Sequence, residues 1–272
     1  MHRKKINYFK FSTFFLLIII VLLLTFHFLT FRTNKEIKEH IFSHRGASGE
    51  EIEHTLAAYD LALIYGSKYI EQDLVTSKEN TLFVSHDLNA KRLTNINKKF
   101  SDMTDDEIKH LHVKNKEAIL SLQDVFNRYH GKTNFVIELK ENSQQISPFI
   151  KIIKKNNLAD NVIVQSSSPE TLVKLEETFP KMKKLLLVKN QENLEKGVQY
   201  KDVDIISANK TLLSKNNVAL VHNANKEFNV WTVNDTEEIE KAISLDVDNY
   251  FTNFTSKALT IEKNQHKSIF SF

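Results

Sequence analysis

Tyr69-Ile70-Glu71-Gln72-Asp73-Leu74-Val75 is the stretch on which the reading of this chain turns. It has the length and apolar, β-branched flanks of a buried strand, and residues two apart on a strand share a face. Glu71 and Asp73 therefore project to one side, near the strand's C-terminal end. Working outward, three other apolar runs stop in the same manner. Ile41–His44 ends in Ser43-His44-Arg45-Gly46, Thr81–His86 ends in Ser85-His86-Asp87, and Phe135–Leu139 ends in Glu138-Leu139-Lys140.

Further candidate strands follow at Val162–Gln165, Lys184–Val188, Asp204–Ser207, Phe228–Val233 and Asp248–Thr252. Amphipathic runs of helical period separate most of them. Thr55–Tyr65 sets Leu56, Tyr59 and Leu63 on one face. Ser168-Pro169-Glu170 reads as a helix start, with Ser at the cap and Pro in the first turn. Asp235 to Glu238 has capping-box spacing, and Thr104 to Glu107 repeats it. Eight strands with helical crossovers predict an α/β chain folded as a (β/α)8 TIM barrel. The strand-like run at Thr81–His86, and the polar segment after it as far as about Ala118, predict an insertion after the second strand, lying over the barrel's C-terminal face. A doubly wound open sheet is the alternative, and no Gly-rich phosphate loop favours it.

Composition bounds this reading. The 272 residues are 41% hydrophobic and 26% charged, as expected of a globular protein, and no Cys is present. Disulfides, thiolate metal sites and cysteine nucleophiles are thereby excluded. The net charge of +3 is unevenly spread. Arg3, Lys4, Lys5, Lys10 and Arg32 face no acid within residues 1–32, which leaves 32 basic against 34 acidic residues in the rest. No basic face for nucleic acid is indicated.

Phe11 to Phe31 carries no formal charge. As a helix its residues rise roughly 31 Å, against a hydrocarbon core of about 30 Å. Its exit, Thr25 to Phe31, lacks an Ala-x-Ala cleavage pattern, so an uncleaved transmembrane anchor is expected. The domains read as a basic segment at 1–10, an anchor at 11–31, a linker at 32–39, a barrel at 40–262 and a tail at 263–272. Basic residues before the apolar run place the N-terminus in the cytoplasm and the barrel outside it, in a single-pass arrangement at the cell membrane.

In a barrel, side chains at C-terminal strand ends share one mouth. Glu71, Asp73 and Glu138 converging there would repel one another unless a divalent cation lay between them, and an oxygen-only donor set favours Ca²⁺ or Mg²⁺. His44 and His86 have the chemistry to activate an attacking oxygen and protonate a leaving alkoxide. Arg45 and Lys140 suit phosphate oxygens. Asp87 either orients His86 or caps the following turn. His110 and His112 read as solvated surface of the insertion, and His40, His130, His222 and His266 show no partner pattern. Trp231 either fills the top of the barrel or packs on the apolar part of a substrate, and its strand-end position favours the second.

From about Phe42 to Phe254 the sequence resembles the glycerophosphodiester phosphodiesterase family. The shared features are His44-Arg45-Gly46, Glu53-His54-Thr55 where the family has Glu-Asn-Thr, Glu71 with Asp73, and His86-Asp87. Thr76 to Asn80, Arg92 to Asn95, Glu138 to Lys140 and Trp231 to Asn234 add to them. The resemblance implies a barrel, a divalent metal on Glu71, Asp73 and Glu138, and catalytic histidines at His44 and His86, with Glu53 and Asp87 supporting them from behind. It also implies hydrolysis of glycerophosphodiesters to sn-glycerol 3-phosphate and an alcohol, by way of a cyclic phosphate if the neighbouring glycerol hydroxyl attacks first. His54 departs from the usual Asn. Gln165-Ser166-Ser167-Ser168 lacks the Phe that often follows the first Ser, and Thr252-Asn253-Phe254 stands where Thr-Asp-x-Pro is usual. Deacylated phospholipids, lysophospholipids and glycerol-phosphate polymers are the substrates expected. A phospholipase D or phosphoinositide C type of lipid phosphodiesterase, and a catalytically silent anchored binding module, are the competing readings.

Overall fold

The computed structural model describes residues 41–141 and 143–269. The basic segment, the anchor and the linker expected at 1–39 lie outside them. Among the described residues no helix is long and apolar enough to cross a membrane.

Nine strands form one sheet: β1 (Ile41–Ser43), β2 (Tyr69–Thr76), β3 (Leu82–Val84), β4 (Asn134–Leu139), β5 (Val162–Ser166), β6 (Lys183–Val188), β7 (Ile205–Asn209), β8 (Glu227–Trp231) and β9 (Asn249–Thr252). All but β3 are parallel and close on themselves in the order β1-β2-β4-β5-β6-β7-β8-β9. This is the expected TIM barrel, and the closure excludes the open sheet. Closure runs through Ile41–Tyr250, Phe42–Phe251 and Ser43–Thr252 pairs, with His44 N–H donating to Thr252 O at 3.0 Å.

Alternation along each strand sorts the side chains. Ile70, Leu74, Phe135, Ile137, Val164, Leu186, Ile206, Phe228 and Val230 face outward into the layer beneath the helices. Phe42, Val136, Ile163, Leu185, Ile205 and Phe251 fill the barrel floor. One step further along the strands the interior turns polar at Glu71, Asp73, Glu138 and Gln165, so the site rests on a packed apolar base.

The helices begin where their caps were expected. Thr55 accepts from Ala58 N–H ahead of Leu56–Tyr65, and Ser168 accepts from Thr171 N–H ahead of Pro169–Glu176. The face of the first helix differs from expectation: Ala58, Tyr59 and Ala62 are buried, while Leu56 and Leu63 are only partly covered. Small residues let the helix lie close to the His44-Arg45-Gly46 turn. The last helix, Thr255–Ile269, runs past residue 262, where the sequence suggested a tail would begin.

The insertion is built on β2. β1 pairs with β2 only at Ser43–Ile70, and the upper edge of β2 is taken by β3, antiparallel, through Leu74–Val84, Val75–Phe83 and Thr76–Leu82. The polar appearance of the segment hides a second core, in which Val75, Phe83, Phe100, Met103, Ile108, Val113 and Ile119 pack together. The Thr104–Glu107 capping box forms, with Thr104 N–H donating to Glu107 Oε2 at 2.9 Å and Glu107 N–H to Thr104 Oγ1 at 3.2 Å.

Candidate active site

His44 follows β1 and stands beside Phe251. Its Nδ1–H donates to Asn253 Oδ1 at 2.7 Å, which leaves Nε2 as a free acceptor. Burial, with the adjacent Arg45 charge, pushes its pKa down to about 4, so the ring is neutral near pH 7. The chain then turns left-handed through Arg45 (φ 59°) and Gly46 (φ 84°). A Cβ on Gly46 would lie 2.7 Å from the Ala58 carbonyl, so only glycine fits the turn against the first helix. The turn aims Arg45 N–H at Glu71 Oε2, 2.9 Å away, and Arg45 Nε at Asp73 Oδ2, 3.0 Å away.

Glu71, Asp73 and Glu138 each present an oxygen, and the three lie within 4.8 Å of one another. Register explains this: Asp73 pairs with Glu138 across β2 and β4. Lys140 Nζ bridges Asp73 Oδ1 at 3.0 Å and Glu138 Oε2 at 3.1 Å. Gln165 Nε2 donates to Glu71 Oε1 at 3.0 Å. Burial and the neighbouring Asp73 charge push the Glu71 carboxyl well up, and the same causes lift Glu138 to about 8. Burial works against ionisation of Asp73 too, but the His54 hydrogen bond and the Lys140 and Arg45 charges outweigh it and hold its pKa well below the usual range. Three carboxylates against two cations, and a buried Gln165 Oε1 with no donor among the described residues, form an all-oxygen set that fits a hard divalent cation.

His86 comes from the insertion. Ser85 N–H donates to Asp73 O at 3.0 Å, which fastens the end of β3 to the carboxylate strand. His86 Nδ1–H donates to Asp87 Oδ1 at 2.7 Å, so Asp87 orients the ring and Nε2 is left free. Arg92, from the one-turn helix Lys91–Thr94, then binds Asp87 through Nε and Glu53 through both Nη atoms, at 2.9 and 2.6 Å. Glu53 also receives Arg45 Nη1 at 3.3 Å. Burial opposes it, but the Arg92 hydrogen bonds and the Arg45 charge pull Glu53 down to about 2.

His44, Arg45, Glu71, Asp73, His86, Glu138, Lys140 and Trp231 thus line one cavity of about 150 Å³, with Glu53 and Asp87 behind it. Trp231 is half-buried. Its Nε1–H donates to Ser207 O at 3.0 Å, and its ring joins both the barrel floor and the cavity wall. His110 and His112 are exposed on the insertion, outside the cavity. His222, which showed no partner pattern, binds Asp248 at 2.7 Å beside the start of β9.

In the sequence His54 stands out only as a departure from the family's Asn. It is buried, with Nε2–H donating to Asp73 Oδ2 at 3.0 Å and Nδ1 accepting from Tyr59 O–H at 2.9 Å. Asn253 stands out in the same way, and the Arg92 clasp only as a motif echo. Gln165, Ser167, Leu187, Lys189 and Phe251 complete the lining. Their signal was the strand-end rule applied to β5, β6 and β9.

Cationic side chains suited to phosphate oxygens and imidazoles suited to proton transfer meet at one barrel mouth, and the class of protein they define is a barrel phosphodiesterase. Residues 44–257 match the glycerophosphoryl diester phosphodiesterase family, and the chain belongs to it. A Bacillus subtilis (strain 168) glycerophosphodiester phosphodiesterase is 27% identical over 243 residues, covering 78% of this chain and 82% of its own. One from Bacillus altitudinis is 26% identical over 241 residues, covering 82% and 98%. An Oleispira antarctica phosphodiesterase, solved with the product sn-glycerol-3-phosphate, superposes with a TM-score of 0.76 at 20% identity, covering 82% of this chain and 96% of that one.

Proposed function

We propose that the chain is a metal-dependent enzyme that cleaves glycerophosphodiesters to sn-glycerol 3-phosphate and an alcohol. His44 is its base and His86 its acid, and Glu71, Asp73 and Glu138 hold a divalent cation, Ca²⁺ or Mg²⁺. The observation carrying this reading is that two imidazoles with Nδ1 committed, to Asn253 and to Asp87, line one cavity with a carboxylate triad. A divalent cation held there would polarise a phosphoryl oxygen and offset the charge developing on it.

The chain's own groups divide the remaining tasks. Arg45 and Lys140 bind non-bridging oxygens as negative charge builds on phosphorus. His44 Nε2 takes the proton of the attacking oxygen, that of water or of the neighbouring glycerol hydroxyl, as the new P–O bond forms. Where the glycerol hydroxyl attacks, water then opens the cyclic phosphate. His86 Nε2–H gives a proton to the alcohol oxygen as the old P–O bond breaks. Asn253 holds the His44 ring with Nε2 as acceptor, and the Asp87 carboxylate opposite Nδ1–H supports His86 in the doubly protonated form from which Nε2–H donates.

The full chain, purified in detergent, should release glycerol 3-phosphate from glycerophosphoglycerol. That release should stop in EDTA, return with Ca²⁺ or Mg²⁺, and be lost in His44→Ala and His86→Ala. Full activity in EDTA or in His44→Ala would refute the mechanism. The apolar segment at 11–31 supports a membrane-anchored enzyme with its barrel outside the cytoplasm. Protease cleavage of the barrel in intact cells tests that address, and complete protection would reverse it.

A further inference from the structure

The charges of the cavity are unevenly committed. Its three acids, Glu71, Asp73 and Glu138, stand on β2 and β4, and Arg45 and Lys140 are ion-paired with them. Lys189, just past the end of β6, also lines the cavity, is exposed, and has no hydrogen-bond or ion-pair partner among the described residues. Ser167, just past the neighbouring β5, is exposed on the same lining and its hydroxyl is likewise uncommitted. In the eight-strand ring β6 lies four strands from β1 in either direction, so Lys189 faces the His44-Arg45 turn from across the mouth. Between the two sides the wall is apolar, at Leu187, Trp231 and Phe251.

A substrate whose phosphate lies against Arg45 and Lys140 extends one of its ester arms over this apolar wall. On the far side that arm meets an ammonium and a hydroxyl and no carboxylate. The Trp231 face would by itself suit a quaternary ammonium, but the like charge of Lys189 on the same lining opposes one. We propose that Lys189, with Ser167, is a specificity-determining seat for an anionic group on the leaving alcohol, so that the preferred substrates are glycerophosphodiesters whose alcohol carries a further phosphate or carboxylate. This inference rests on the glycerophosphodiesterase reading given above.

The test compares kcat/KM of the full-length enzyme on three substrates. They are glycerophosphocholine, glycerophosphoglycerol, and glycerophosphoglycerol bearing a terminal phosphate, whose alcohols are cationic, neutral and anionic. The anionic substrate should be preferred. Lys189→Ala should lower its kcat/KM about tenfold through KM, as expected for one lost charge-assisted hydrogen bond, and leave the neutral substrate nearly unchanged. Lys189→Arg should keep the preference and Lys189→Glu should turn it toward choline. An equal loss on all three substrates in Lys189→Ala would overturn the proposal, because the lysine would then serve the shared glycerophosphate. So would a wild-type enzyme indifferent to the alcohol's charge. Wild-type turnover of glycerophosphoglycerol without that preference sinks this inference alone, whereas turnover of none of the three sinks the proposed function as well.

Discussion

His54 shows how much can hang on one substitution. Both ring nitrogens are used, between Tyr59 and Asp73, and the backbone adopts a left-handed φ of 61° to place them. A buried imidazole with a carboxylate on one side and a hydroxyl on the other is held as a neutral donor. It fixes Asp73 Oδ2 in the direction that Arg45 also requires. Groups that orient a metal's carboxylates typically contribute 10–100-fold to affinity, so His54→Phe should weaken Ca²⁺ or Mg²⁺ binding by roughly that factor. His54→Asn, which restores an amide donor, should recover part of it. Calorimetric titration of the metal checks this directly, and unchanged affinity in His54→Phe would show Asp73 to be held by its other partners alone. Glu53 makes a second prediction at this scale. Its folded pKa of about 2 lies below its ordinary value of 4.5. The folded state therefore binds this proton less readily than the unfolded chain, and the stability it contributes is present above pH 4.5 and lost as pH falls toward 2. Denaturant unfolding between pH 2 and pH 6 should show a shallower acid limb in Glu53→Gln than in wild type. An identical slope would show that other carboxylates carry the acid response.

At the scale of elements the insertion decides the outcome. It delivers His86 through two fastenings, the β2–β3 pairing below and the Arg92 clasp at the side. Arg92 is half-exposed but Glu53 is only 15% exposed, and removing Arg92 leaves that carboxylate short of its main partner, so Arg92→Ala should cost about 1–3 kcal/mol while still folding. It should nevertheless lower kcat by about tenfold, short of the roughly 10²–10⁴ that losing the general acid itself would cost, while leaving metal affinity in place. Kinetics and metal titration on the same preparation separate this from the His54 effect. A drop in metal affinity in Arg92→Ala would mean that the clasp supports the carboxylates and not the acid. The eight barrel strands were legible because each is a short apolar run that stops at a chemically distinctive residue. The insertion was legible only as an interruption. Phe100, Met103, Ile108, Val113 and Ile119 are spaced too irregularly to register as helix or strand, and only the folded chain gathers them against Val75 and Phe83. Among site residues, those on strand ends were visible as pairs of charges on a face. His54, Arg92 and Asn253 were not, because they act across 19, 39 and 209 positions of sequence, a relation that no local period encodes.

Taken as a whole, the molecule separates support from chemistry along the barrel axis. Apolar side chains from six strands fill the floor, and the mouth above can then hold three carboxylates without exposing them to a loose core. His54 behind Asp73 and Asn253 behind His44 stand where the family's pattern has other residues, and Lys189 across the mouth is uncommitted.

The hydrogen bond between His44 and Asn253 joins the first barrel strand to the last. Its geometry exists only once the ring has shut, whereas the carboxylates of β2 and β4 come together much earlier in the chain. On the function proposed above, a chain synthesised as far as β4 already carries all three carboxylates offered to the cation, whereas the residue that orients His44 is supplied only after β9. Turnover would then report that the final strand has docked, a readout of complete folding that cation binding alone would not provide.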